Sequence, residues 1–432
     1  MLFKNIGIVD ENFDYVKSMF VETKDDRIVY VSSVRPENYE GEEYDGTGKV
    51  LMPGFVNAHS HSPMTLLRGY AENLPLQRWL NEKVFPFEDR IKGEDAYYSS
   101  MLAIAEMLRY GTVSFSDMYF FSENVAKAVT DSGIKCNFSR AITSFEDTDI
   151  ENLQSFRESE DIVKRFHNAA DGRLKIDMSL HAEYTNRRTI IEQFAEKVRE
   201  RGLRAHIHLS ETKKEHEECK AKYSLTPTQL FYKCGVFDVP TTAAHCVWVE
   251  DGDIELLREK GVTAATCPAS NLKLGSGICD VYKLLKSGVN VAIGTDSVAS
   301  NNNLNMIKEM FLCALLPKGL HNDASVVSER DILKMATVNG YKAQGREDSG
   351  AIKAGCKADL CVLNIESEHM YPQTDMINNL VYAADGADVV LTMADGRVLY
   401  KDGEFTTIDI EKVKSTVNAA ASRIISEVKK NG

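Results

Sequence analysis

The 432-residue sequence lacks any run of about 18 apolar residues, the length needed to cross a bilayer, so no membrane-spanning helix is expected. It also lacks a basic excess. Acidic residues number 64 against 51 lysines and arginines, for a formal charge of −13. Nucleic acid is held by concentrated positive surface, so it is excluded as a partner. None of the nine cysteines belongs to a CxxC pair, and the set is odd and scattered. The N-terminus meets an acidic residue too early to hold a secretion signal. Together these predict reduced thiols and a cytoplasmic setting. No GxxxxGK[ST] loop and no GxGxxG placed to open a helix supports phosphate-loop or dinucleotide binding. A GxSxG elbow and an HxE…PCxxC zinc pattern are missing as well. Internal repeats and low-complexity tracts are absent.

What remains is an ordinary globular composition, 43% hydrophobic and 27% charged. The first fifty residues alternate in short pieces over 2–9, 20–23, 27–31 and 48–51, which predicts a small antiparallel sheet. Matching pieces return near the other end, over 360–363, 389–393 and 397–400, with a hairpin at Asp395-Gly396. Both ends are therefore expected to build one small β-sandwich domain, from residues 1–51 and 346–432, with a final helix over 408–429.

Between them, over 52–345, β-branched runs alternate with helical patterns. Candidate strands cover 52–58, 112–116, 134–140, 174–180, 203–209, 242–245, 262–267 and 289–294. Helical spacing covers 96–110, 189–201, 253–260 and 304–316. Eight such units predict an α/β fold, a (β/α)₈ TIM-type barrel; a doubly wound open sheet fits the same pattern.

Five of the ten histidines sit at or just past an expected strand end: His59, His61, His181, His208 and His245. Such ends carry the active sites of parallel barrels. Strand side chains two apart face the same way, so His59 and His61 point together. With His208 and Asp296 from other strand ends they make a three-imidazole, one-carboxylate set. That set suits one divalent ion, Zn²⁺ first, with Fe²⁺ or Mn²⁺ on the same ligands. Glu211, three residues past His208, is placed to carry protons, and His245 to stabilise an attacking oxygen. His206 reads as a support one layer deeper, and His167, His216, His321 and His369 receive no role.

The sequence resembles the amidohydrolase superfamily, in its S-adenosylhomocysteine/5′-methylthioadenosine deaminase branch. The likeness is carried by MPGFVNAHSHSPMTLLRGYAENLPLQRWL, HIHLSET, AAHC, CPASNLKLGSGI and GTDSVASNNNLNM. It implies a metal on His59, His61, His208 and Asp296, with Glu211, His245 and Asp296 as the catalytic groups. It further implies that Glu88 grips the ribose hydroxyls, that Trp79 flanks the thioether end, and that Arg140 and His181 touch substrate. The implied substrate is a free nucleoside: 5′-methylthioadenosine, S-adenosylhomocysteine, 5′-deoxyadenosine or adenosine. Homo-oligomers are compatible with the resemblance.

Two positions depart from the family pattern. Glu183 stands where the family has proline, and Asn152 where some members carry a second arginine for a substrate carboxylate; Arg157 is the nearest arginine. The rival readings are guanine or pterin deamination, triazine dechlorination, and a non-catalytic barrel.

Overall fold

The run expected as one strand over 52–58 is two strands that part at Gly54, Lys49–Pro53 and Phe55–Ser60. A β-carbon at Gly54 would come within 2.5 Å of Val113 Cγ1, so glycine is needed where the chain leaves one sheet for the next. The computed structural model describes residues 1–74 and 76–431.

Phe55–Ser60 opens the first of two parallel sheets, followed in spatial order by Thr112–Met118, Lys135–Ser139 and Leu174–Ile176. The second runs Ala141–Ile142, Met178–Leu180, Ala205–Leu209, Thr241–His245, Thr263–Thr266 and Asn290–Ile293. All pairings within both are parallel. The expected strand over 174–180 is interrupted at Asp177, whose N–H donates to Phe138 O at 3.0 Å. There the chain passes from one sheet to the other. At the opposite edges Asp296 N–H donates to the His59 carbonyl at 2.9 Å.

These strands read as apolar runs because both faces are covered. Every residue of Thr112–Met118 and of Thr241–His245 is buried. Outer helices include Gly93–Arg109, Arg188–Arg201, Asp251–Glu259 and Met306–His321, close to the expected ones. Ala58, Ala265 and Ala292 form a separate, fully buried cluster between the sheets. Their short side chains leave room for imidazoles from neighbouring strands.

The chain's two ends share a nine-stranded sheet. Leu2–Val9 pairs antiparallel with Tyr15–Lys24 but parallel with Glu43–Asp45 and Lys49–Pro53, so the sheet expected as antiparallel is mixed. Leu360–Asn364 closes the union by pairing with Lys49–Pro53. Asp395 and Gly396 turn the hairpin with φ of 46° and 71°, the left-handed pair such a turn requires. Beneath this sheet Lys135 is buried, with its Nζ 2.5 Å from Asp359 and 2.7 Å from Asp395. The final helix, Ile410–Asn431, packs Val413, Val417 and Ile424 into the apolar cluster that holds Trp79, Phe87 and Ile104. Among the described residues, no helix is long and apolar enough to cross a membrane.

Candidate active site

His59 lies on the strand Phe55–Ser60 and His61 just past it, and strand alternation sends both rings the same way. Their tautomers follow from what each second nitrogen meets. His61 Nδ1 is 2.5 Å from Met118 O, and His208 Nδ1 is 2.8 Å from His181 O. A carbonyl only accepts, so both Nδ1 atoms carry hydrogen, and in the neutral rings both Nε2 atoms are left with lone pairs. Those two Nε2 atoms are 3.4 Å apart. Asp296 Oδ1 stands 3.2 Å from His61 Nε2 and 3.6 Å from His59 Nε2. His59 Nδ1 faces His206 Nε2 at 3.0 Å, so His206 does support the layer above.

His59 Nε2 is buried and has no hydrogen-bond partner. A lone pair left so in a dry interior is costly unless a cation meets it. Burial, then the neighbouring imidazoles, pulls His59 and His208 well below the ordinary imidazole range, which keeps them neutral and able to ligate. His61 goes the other way: against burial, Asp296 holds it at about 9. A proton and a metal ion would compete for that spot. Nitrogens of His59, His208 and His245 also lie within 4.8 Å of one another. Three imidazoles and a carboxylate form a donor set that fits a borderline divalent cation.

Backbone geometry aims these groups. Asp296 and His245 take left-handed φ of 58° and 74°, a conformation that non-glycine residues adopt at a cost of about 1–3 kcal/mol each. His245 ends its strand and Asp296 follows one, where the turn swings the side chain over the sheets. Asp296 Oδ2 accepts from Ser270 Oγ at 2.5 Å and Ser300 Oγ at 3.0 Å, which leaves Oδ1 for the histidines. Despite burial, His61 keeps Asp296 well below the usual carboxylate range.

Glu211 faces the same point from the turn after Ala205–Leu209. Its Oε1 accepts from Ser276 Oγ at 3.2 Å, and its Oε2 is 3.9 Å from His245 Nε2. Burial raises its pKa, so the acid form persists to higher pH than in water. His245 is fixed by Asn271, with Nδ1 2.9 Å from its Oδ1.

A cavity of about 340 Å³ opens over these groups, and Trp79, Glu88, Arg140 and His181 all line it. Trp79 donates its indole N–H to Ala71 O, and Tyr119 donates to Glu88 Oε1 at 2.5 Å. Burial pushes the Glu88 carboxyl up to about 7, against that bond. It likewise takes His181 down to about 4. Arg140 is engaged by Glu158 at 2.7 Å and by the Ala141 carbonyl. It is the one arginine lining the cavity among the described residues. Arg157 turns instead to the carbonyls of Glu151 and Asn152.

The description of one family model, amidohydrolase family, matches residues 50–399. The chain belongs to the amidohydrolase family. This amidohydrolase is 45% identical over 89% of both chains to a 5-methylthioadenosine/S-adenosylhomocysteine deaminase of Dictyoglomus thermophilum. It is 40% identical, over 93% of both, to a 5′-deoxyadenosine deaminase of Methanothermobacter thermautotrophicus. Among solved structures, an adenosine deaminase from Xanthomonas campestris with bound zinc superposes with a TM-score of 0.92. That chain is 29% identical, with 98% of each chain covered.

Sequence reasoning passed over Tyr119, Ser270, Asn271, Ser276 and Ser300 as supports. Four of these lie in the quoted CPASNLKLGSGI and GTDSVASNNNLNM segments, where a hydroxyl or amide beside a functional carboxylate or imidazole was the available signal. Tyr119 carried none.

Proposed function

We propose that this amidohydrolase is a zinc-dependent deaminase of adenine nucleosides, converting the 6-amino purine to the 6-keto purine and ammonia. The observation that carries the reading is the meeting of His59, His61, His208 and Asp296 near Glu211, with all but His59 lining one nucleoside-sized cavity. Those four residues would hold the ion, whose Lewis acidity would make hydroxide available from water near neutral pH. Asp296 Oδ1 takes the proton released by the attacking water. Glu211, whose acid form burial favours, donates to the ring nitrogen beside the amino-bearing carbon and makes that carbon electrophilic. His245, turned to the site by Asn271, stabilises the oxygen that develops charge as the carbon becomes tetrahedral. Proton return to the amino group then releases ammonia. Glu88 accepts from the ribose hydroxyls, Trp79 covers the 5′ end, and His181 and Arg140 orient the remainder.

Arg140 is already tied to Glu158, and Arg157 faces away. A carboxylate-bearing 5′ group would have to share one occupied guanidinium, so 5′-methylthioadenosine, 5′-deoxyadenosine and adenosine rank above S-adenosylhomocysteine. The two parallel sheets act as one closed (β/α)₈ barrel over about 52–345, supported by the Asp296–His59 backbone bond. The terminal strands form the β-sandwich domain, supported by a separate apolar cluster of Phe3, Val21, Leu51, Val362 and Leu391. Nine unpaired thiols support work in the cytoplasm.

The test is ammonia release from those four nucleosides and from guanine. Deamination of the nucleosides is expected; turnover of the free base alone would refute the proposal. Glu211→Gln should keep its metal and lose roughly 10²–10⁴-fold in kcat, the usual worth of a positioned proton carrier.

A further inference from the structure

Two glutamates meet behind the cavity wall. Glu183 opens the turn Glu183–Thr185 between His181 and Tyr184. Both of those neighbours line the cavity, whereas Glu183 does not. It is 3% exposed and lies within hydrogen-bonding reach of Glu215, itself 4% exposed. Glu215 is already committed to the backbone of the adjoining turn. Its Oε1 accepts Ser210 N–H at 2.8 Å, and its Oε2 accepts Glu211 N–H at 2.8 Å and Thr212 N–H at 3.3 Å. Ser210 is itself in a left-handed conformation, φ 47°, so this turn needs holding.

Three N–H donors favour a charged carboxylate at Glu215. A second anion beside it, out of water, is not compatible with the site. The titratable groups facing the pair are Glu211, Tyr184, Cys219 and Cys246, none of them a cation; Lys222 acts on Cys219. Glu183 Oε2 has no partner. A carboxylate there would go without a donor, whereas a protonated carboxyl can itself donate. Burial, and then the charge of Glu215, pushes the Glu183 carboxyl well above its ordinary range, in agreement with this geometry.

We propose that Glu183, kept as the neutral acid, donates its proton to Glu215 and so locks the Ser210–Thr212 turn that aims Glu211 into the cavity. Glu183 is a positioning residue, and the inference rests on Glu211 carrying protons as proposed above. The residue that replaces the family's proline is thereby given a task.

The experiment compares Glu183→Gln, whose amide still donates, with Glu183→Leu, which cannot. The Gln variant should keep kcat within about twofold; the Leu variant should lose roughly tenfold in kcat with little change in KM, because aim rather than binding is disturbed. Infrared difference spectra of the metal-loaded protein should show a protonated-carboxyl band in the wild type that Glu183→Gln lacks. The infrared arm needs no substrate and stands even if the Leu variant fails to fold. Failure of every nucleoside with the band present would count against the proposed reaction only. Absence of the band, wild-type kcat in the Leu variant, or a Gln variant as poor as Leu would overturn the inference.

Discussion

On the proposed reading, Glu88 ties burial to binding. With its carboxyl at about 7, it is mostly neutral below that pH and ionised above it. A charged acceptor of a hydroxyl bond is worth about 1 kcal/mol more than a neutral one, roughly fivefold in affinity. The KM for nucleoside should therefore fall severalfold as pH rises through about 7, and Glu88→Gln should flatten that dependence. A pH–KM profile checks both. The grouping of His59, His61, His208 and Asp296 was legible because each follows a β-rich run and strand alternation fixes where side chains point. Tyr119 was not, since its hydroxyl reaches Glu88 across 31 positions of chain that no local pattern links. Glu88 itself reads as a solvated helix charge until the Leu76–Glu88 helical stretch, with its π-helical turn Leu80–Val84, folds it over the cavity.

Among the elements, the parallel strands were legible to within about two residues, whereas Tyr15–Lys24 was expected only over 20–23 and the short strands Glu43–Asp45, Ala141–Ile142 and Glu404–Phe405 were not expected. Gly54 and Asp177 each divide an apolar run that looks continuous in sequence, because the chain changes sheets at both places. Gly294 is a position where spacing bears directly on the site. A β-carbon there would lie 2.9 Å from His59 N and 3.0 Å from His59 O, main-chain atoms that cannot swing aside. Gly294→Ala should push the first strand away from Asp296, destabilising the fold by about 1–3 kcal/mol as overpacking does. Bound metal should fall in parallel. Thermal denaturation and elemental analysis are the measurements; a variant with unchanged melting and full metal would contradict the close approach.

At the scale of the molecule, the buried Lys135 joins the parallel sheets to the terminal one through Asp359 and Asp395. Asp359 sits in a buried site that would raise its pKa, yet Lys135 draws it below the ordinary 3.8. Its share of stability is thus present above that value and lost as pH falls through the lower folded pKa. Asp359→Ala removes one of two counter-charges from a buried ammonium, so a loss of about 3 kcal/mol is expected from denaturant unfolding. A change under about 0.5 kcal/mol would mean Asp395 suffices alone. The acidic surface was legible from composition; this inward lysine was not, since isolated lysines are nearly always read as solvent-facing.

The pairing of Lys49–Pro53 with Leu360–Asn364 also dictates an order of events at the ribosome. More than three hundred residues must be translated between the two partners. During that interval the early strand has one hydrogen-bonding edge with no cognate neighbour, an adhesive surface for other nascent chains. Completion of this sheet therefore waits on late translation, and the period before it is when the newborn polypeptide is most exposed to such pairing.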